Sequence, residues 1–390
     1  MPQRLRPRER TGGRRRTVGR VSRLFQPLTI RGTTFAHRTW VSPMCQYSCD
    51  PVTAPGVPND WHLVHLGSFA TGGAALVLTE AAAVVAEGRI SPQDAGLWND
   101  EQTQAWRRIV DFLHGQGAAA GVQLAHAGRK ASTHRPWDEE EGSVPLEQGG
   151  WETVGPSAVA FGDYATPVAL DEAGIAGVVR AFADAARRAD EAGVDVVELH
   201  AAHGYLLHQF LSPLSNQRTD GYGGDLAGRS RLLLEVVDAV RAVWPQDKPL
   251  FVRLSTTDWV EGGWDVDSSV ELSRELAAHG VDLVDASSGG SSPDAKITVG
   301  PGYQVPPAGR IKRETGILVG AVGMLLEPAQ AEQVLVSGDA DAVFLARALL
   351  ADPRWVQRAA VALHERGTLA WPPQYVRGTR DAVPLVTPRA

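Results

Sequence analysis

Hydrophobic and polar positions change their period several times along this chain, and each change marks an element. Residues 171–192 place apolar side chains three and four apart, the spacing of a helix with one buried face, and Gly193 ends it. Directly after comes Val194-Asp195-Val196-Val197-Glu198-Leu199-His200, a valine-rich run of the kind that forms a parallel strand buried on both faces. The same couple recurs downstream: a helical pattern over 228–243 precedes an apolar run at 250–254, 267–279 precedes 281–286, and 328–336 precedes 342–346. Upstream, a helix over 60–70, capped by Asn59 or Asp60 and stopped by Gly72-Gly73, precedes a strand at 75–79, and a helix over 101–114 precedes a strand at 118–124. With a brief strand at 40–42 and another at 316–322 this makes about eight strand–helix units, each crossover long enough for a right-handed parallel connection. No linker interrupts the series, so the fold class predicted is α/β, a single (β/α)8 TIM barrel over residues 24–378.

Two stretches break the alternation. Residues 24–37 read as a hairpin, with Pro27-Leu28-Thr29-Ile30, a turn at Arg31-Gly32 and Thr33-Thr34-Phe35, expected to plug the bottom of the barrel. Residues 132–151 are polar and carry the acidic run Asp138-Glu139-Glu140-Glu141; they read as an excursion at the barrel mouth.

Composition sharpens this picture at three points. The 390 residues include no apolar run long enough to span a bilayer, so no membrane role is expected. Two cysteines, Cys45 and Cys49, are too few for a disulfide scaffold or a cysteine-ligated iron–sulfur cluster, and they fit a reducing, cytoplasmic setting. The formal charge of −7 hides nine arginines against Glu9 alone in residues 1–23, a net of +8 that leaves −15 for the remainder. An acidic body argues against nucleic acid as a partner. The basic tail reads as disordered, as an arm for nucleic acid or membrane, or as sequence preceding a natural start near Val18 or Val21; residues 379–390 read as a second tail.

In a β/α barrel the chemistry gathers where the strands end. The successive ends carry Ser42, Pro43, Cys45 and Tyr47; Glu80 and Ala81; Gln123 and His126; His200, His203 and Tyr205; Arg253; Ser287 and Ser288; Gly320-Ala321-Val322-Gly323; and Arg347. The last two ends resemble a phosphate cradle, with glycines that let backbone N–H groups approach and Arg347 as a bidentate charge; a tight turn beside a surface arginine is the plainer alternative. His200 and His203 admit three readings: metal ligands, satisfied structural histidines, or paired donors to a carbonyl-like oxygen with Tyr205 as proton donor. No Asp, Glu or Cys follows them at ligand spacing, so no metal is assigned. Cys49 reads as incidental, and His62 and His65, three apart on one helix, as a solvated face.

Four motifs in order carry a resemblance. Ser42-Pro43-Met44-Cys45-Gln46-Tyr47-Ser48, Gln123-Leu124-Ala125-His126-Ala127-Gly128-Arg129-Lys130, His200-Ala201-Ala202-His203-Gly204-Tyr205-Leu206, and the stretch from Leu211-Ser212-Pro213-Leu214 to Asp220-Gly221-Tyr222-Gly223-Gly224 resemble the old yellow enzyme family. The cysteine in the first motif is similar to that of its thermophilic-like branch. The resemblance implies non-covalent FMN, with Ser42, Pro43, Met44 and Cys45 lining it, Ala81 on its ring, Gln123 at its pyrimidine edge, Arg253 on its N1/O2 side, and Gly323, Ala346 and Arg347 at its phosphate. It implies that Cys45 tunes the flavin, that His200 and His203 bind the substrate's oxygen, that Tyr205 donates the proton, and that Tyr47 is a second substrate contact. It further implies a ping-pong NADPH-dependent ene-reductase, NADH being the lesser donor, acting on small electron-poor alkenes. Arg377 matches an arginine lent to a neighbouring subunit, which implies a homodimer or homotetramer.

Overall fold

In the computed structural model residues 22–378 are described; the expectations for residues 1–21 and for the tail 379–390 lie outside them. Ser22 and Arg23 are tied down, their N–H groups donating to Glu365 Oε1 (2.6 Å) and Glu332 Oε1 (2.8 Å).

Along the chain run β1 (Leu28–Ile30), β2 (Thr33–Phe35), β3 (Thr39–Val41), α1 (Asp60–Thr71), β4 (Leu76–Ala83), α2 (Asp100–Gly115), β5 (Ala119–Ala125), β6 (Val154–Gly155), β7 (Val168–Ala169), α3 (Glu172–Glu191), β8 (Val196–Ala201), α4 (Leu206–Leu211), α5 (Leu226–Arg241), β9 (Leu250–Ser255), α6 (Val266–Ala278), β10 (Leu283–Ser287), α7 (Val305–Thr315), β11 (Leu318–Ala321), α8 (Pro328–Val336), β12 (Ala342–Leu345), α9 (Arg347–Ala351) and α10 (Trp355–Ala362). β3, β4, β5, β8, β9, β10, β11 and β12 close in that order into a parallel barrel, the (β/α)8 architecture expected. The helices start where side-chain caps satisfy their first N–H groups. Asn59 and Asn99 form capping boxes on α1 and α2, while Asp171, Asp225 and Asp265 cap α3, α5 and α6.

The strands sort their side chains by the two-residue alternation of extended chain. In β8, Val197, Leu199 and Ala201 pack outward against the helices, whereas Val196 joins Trp40, Leu76, Leu78, Phe251, Leu283 and Phe344 inside the barrel. Burying each of these inward apolar side chains stabilises the fold by about 1.5–3 kcal/mol. The hairpin β1–β2 adds Ile30 and Phe35 to this interior, with Phe35 and Trp40 ring centres 4.7 Å apart. The bottom of the barrel is therefore dry and aromatic, and the inward positions above it are free to be polar.

Candidate active site

Two residues further along β5, β8, β9 and β10 the inward positions turn polar. Register sets Gln123 beside Glu198, His200 beside Arg253, Arg253 beside Asp285 and Ser255 beside Ser287. A bulge in β4 between Leu78 and Ala81 keeps Ala81 beside Gln123. It also leaves Glu80 directed at His62 of α1, with His62 Nε2 3.1 Å from Glu80 Oε1.

The two histidines fill one corner of the mouth. His203 Nδ1 lies 3.4 Å from His200 Nε2, and His203 Nε2 lies 2.7 Å from the Ser287 hydroxyl. The ring centres of His203 and Tyr205 each stand 5.0 Å from that of His200, both nearly perpendicular to it. His203 adopts a left-handed backbone (φ 59°), uncommon for a residue with a side chain. Its own N–H donates to Ser255 Oγ (2.9 Å), and its carbonyl accepts from Lys130 Nζ (2.9 Å). Lys130 also donates to Gly290 O (3.0 Å), so a half-buried ammonium ties β8's end to the loop after β10.

Burial, and then the Arg253 charge, hold both imidazoles well below their ordinary pKa, so they are neutral at pH 7. Burial likewise pushes the phenol of Tyr205 and the thiol of Cys45 well up, leaving both protonated. Burial brings Lys130 down to about 8, with Arg129 contributing. The corner thus offers neutral N–H donors, a protonated phenol and a thiol around one space. Tyr47, beside Cys45, meets Trp137 of the excursion edge-on at 5.6 Å between ring centres, so residues 132–151 do reach the mouth.

A cavity of about 170 Å³ opens beside this corner, lined by Arg253, Ser287, Tyr303, Gln304, Gly323, Ala346 and Arg347 among others. Gly323 takes φ 118°, a conformation that residues with a side chain rarely adopt, and a Cβ there would stand 2.8 Å from Nε2 of Gln304, which lines the same cavity, so a side chain would strain this turn and press on Gln304. The structure therefore brings together Arg253, Gly323, Ala346 and Arg347 around one cavity. Ser42, Pro43 and Met44 follow β3 directly, where the Ser42 N–H donates to Leu345 O of the neighbouring β12 (2.9 Å). Arg377 is exposed past the turn Pro373–Tyr375 and is not among the residues lining that cavity.

Three features depart from the sequence reading. His62 is fully buried rather than on a solvated face, because Glu80 and the Asn59 N–H occupy its two nitrogens. Cys49 is buried with Sγ 3.8 Å from His62 Nε2, part of the same cluster rather than incidental. Glu198, Asp285, Lys130, Gln304 and the buried pair His208–Asp258 went unassigned. The first two were discoverable: Glu198 lies two residues beyond Val196 and Asp285 two beyond Leu283, so strand alternation puts both inside the barrel.

A parallel barrel whose mouth gathers imidazoles, a phenol and an arginine beside a cavity is an enzyme fold set up for a polar cofactor. The comparisons make this specific. Residues 23–366 match the NADH:flavin oxidoreductase / NADH oxidase family, and the chain belongs to that family. It is 46% identical to an NADPH dehydrogenase of Geobacillus sp. (strain WCH70) over 358 residues, 92% of this chain and 98% of that one. Among solved structures, morphinone reductase superposes with a TM-score of 0.72 at 27% identity, over 89% of this chain and 91% of that one. A 2-naphthoyl-CoA reductase complex gives a TM-score of 0.79 at 25% identity over 88% of this chain; the chain spans about half of that longer protein (52%). The protein is a flavin oxidoreductase of the old yellow enzyme type, with FMN as cofactor and a reduced nicotinamide dinucleotide as its electron source.

Proposed function

We propose that this flavoenzyme uses NADPH, with NADH as the lesser donor, to reduce the C=C bond of α,β-unsaturated carbonyl and nitro compounds. Bound FMN would supply hydride transfer from the nicotinamide to the alkene, so the two substrates would use the pocket in turn, in a ping-pong pattern. One observation carries the reading: His200 stands at ring contact with both His203 and Tyr205, so an oxygen-binding pair and a protonated phenol border the same space.

The residues present suit a planar polar cofactor. Ser42 Oγ and His200 Nδ1 are buried without a hydrogen-bond partner among the described residues, and an interior leaves such groups unmet only at a cost unless something else meets them. Ser42, Pro43, Met44 and Cys45 would line the ring, with Ala81 against it, Gln123 at its pyrimidine edge and Arg253 on the side where reduction adds negative charge. Gly323, Ala346 and Arg347 would hold the phosphate around their cavity.

His200 and His203, being neutral, each present one N–H to the substrate's carbonyl or nitro oxygen and stabilise the charge that develops there. Tyr205 gives its proton to the α-carbon. Tyr47, backed by Trp137, bounds the pocket on the solvent side. Arg377, exposed and not lining the cavity of its own chain, is assigned to a neighbouring subunit's mouth, in a homodimer or homotetramer with shared sites. Free thiols at Cys45 and Cys49 support a cytoplasmic, reducing location. No helix among the described residues is long and apolar enough to cross a membrane.

The test is an anaerobic visible spectrum of the purified protein before NADPH, after NADPH, and after cyclohexenone. Bleaching by NADPH followed by recovery with the enone is expected. With His200→Ala and His203→Ala combined, bleaching should persist while enone recovery slows at least a hundredfold; recovery at the normal rate would overturn the assignment of the pair.

A further inference from the structure

Beneath the residues that face the cofactor lies a charged layer to which the reaction assigns nothing. Glu198 sits one inward position below His200, and Asp285 one below Ser287. Both are 0% exposed, against 1% for Gln123 and 6% for Arg253. Gln123 Nε2 donates to Glu198 Oε1 (2.8 Å). Arg253 Nε lies 3.0 Å from Asp285 Oδ2, at ion-pair distance but off the line of a hydrogen bond. Two buried carboxyl groups thus lie near one guanidinium: Asp285 at ion-pair distance, and Glu198 bonded to Gln123 and reached by the arginine's charge only through space. Glu198 Oε2 and both Asp285 oxygens accept no hydrogen bond from the described residues.

Packing gives no reason for this. Apolar residues of similar volume at both positions would serve a barrel core as well or better, since a buried ion pair seldom recovers its desolvation. Burial raises both acids, and Asp285 raises Glu198 further, so the pair does not hold two full charges at neutral pH.

We infer that Glu198 and Asp285 are positioning residues for the flavin: Asp285 offsets the charge of Arg253, and Glu198 fixes the Gln123 amide so that its oxygen and second N–H remain for the cofactor. This rests on the reading above that Gln123 and Arg253 face FMN. An arginine already opposed by a carboxylate at 3.0 Å stabilises negative charge added by reduction less than a lone arginine does. Asp285 therefore keeps the flavin's reduction potential lower, and the reduced enzyme a stronger hydride donor, than Arg253 alone would allow. The amide of Gln123, without Glu198, has no partner that selects which end faces the ring.

The experiment is an anaerobic equilibration of the FMN-loaded protein with a reference dye, together with the dissociation constant of FMN by fluorescence. The wild type, Asp285→Asn, Glu198→Leu and Glu198→Gln are compared. Asp285→Asn should raise the reduced-to-oxidised ratio at fixed dye potential at least tenfold, about 30 mV for a two-electron couple. Glu198→Leu should weaken FMN at least tenfold. Glu198→Gln should bind FMN within threefold of wild type, because its side-chain oxygen still accepts from Gln123. Should Asp285→Asn fail to fold, Asp285→Glu, with the charge on a longer arm, should move the ratio in the same direction by less. A ratio within twofold of wild type in the folded Asp285 variant, or wild-type FMN affinity in Glu198→Leu, overturns the inference. A wild-type protein that carries no flavin, even after reconstitution, instead sinks the assignment of FMN to this site, and is distinguished by needing no variant at all.

Discussion

His208→Leu tests whether the loop after β8 is built to hold His203. His208 and Asp258 face each other with no exposed side-chain area, His208 Nε2 3.0 Å from Asp258 Oδ1. The Gly204 N–H donates to His208 Nδ1 (2.9 Å), so the proton of the ring sits on Nε2, toward the carboxylate. Asp258 Oδ2 accepts from the Ser212 hydroxyl (2.6 Å) and the Trp264 N–H (2.8 Å). Gly204, at φ 74°, lies so close to Gly290 that a Cβ would stand 2.1 Å from its carbonyl oxygen. Two successive left-handed residues, His203 and Gly204, are therefore pinned from behind by one imidazole. Leucine removes the acceptor of a buried N–H, a loss of about 1–3 kcal/mol. It also leaves a buried carboxylate without its facing partner, for which about 3–5 kcal/mol is typical. Asp258 keeps two donors and leucine adds apolar contact, so we expect the low end of the combined loss, about 4 kcal/mol. Urea unfolding of the FMN-loaded protein measures it. In the same variant the KM for an enone should rise several-fold while flavin content stays at wild type, because His203 is released and the cofactor's contacts are not. His208→Asn, whose oxygen overlays Nδ1, should recover part of both. Unfolding within about 0.5 kcal/mol of wild type, with an unchanged KM, would refute the reasoning.

Burial pushes His37 and His126 down to about 4. The folded state keeps both neutral while the unfolded chain protonates them below about 6.5, so stability should fall as pH drops from 6.5 to 4, by about 1.4 kcal/mol per pH unit for each. Urea midpoints across that window should show the slope, and His37→Gln should remove one group's share; an unaltered slope contradicts the assignment. Tyr205→Phe should leave the rate of bleaching by NADPH intact and slow turnover of alkenes that need α-carbon protonation at least tenfold, read by stopped flow. Gly323→Ala should weaken FMN at least tenfold in a fluorescence titration, since the new methyl meets Gln304 Nε2 at 2.8 Å.

The barrel is legible in the sequence because its two periods are physical requirements. A parallel strand covered on both faces has to be apolar nearly throughout, as in Val196-Val197 or Leu250-Phe251-Val252, and the helix before it has to show one apolar face, as Ile175, Val178, Phe182 and Ala186 do in α3. Asn59 marks the start of α1 in the sequence because its side chain reaches an N–H group that nothing else in the helix can satisfy, and the structure shows Asn99, Asp171, Asp225 and Asp265 doing the same for α2, α3, α5 and α6. The bulge in β4 has no such mark. Thr79 and Glu80 continue the apolar run of β4 in a way that strand and bulge both permit, and only the partner strand reveals the extra residue.

Much of the candidate site is legible for a different reason: the mouth is where strands stop, and side chains there are released from the demand for apolarity. His200, Tyr205 and Arg253 stand out as polar groups at the ends of apolar runs. His62, Glu80 and Cys49 do not, because their polarity is settled by one another across 31 residues of chain, between an α1 helix and a β4 bulge that periodicity cannot place in contact. The His208–Asp258 pair is hidden in the same way, 50 residues apart. Glu198 and Asp285 are a third case. Each sits inside a strand where a carboxylate is costly, at an inward position that alternation identifies, and each is paired through register with a residue the cofactor would face. A charge placed where the fold gains nothing from it is a stronger pointer to function than a histidine at a rim, because a rim position tolerates a histidine for many reasons and a barrel interior tolerates a carboxylate for few.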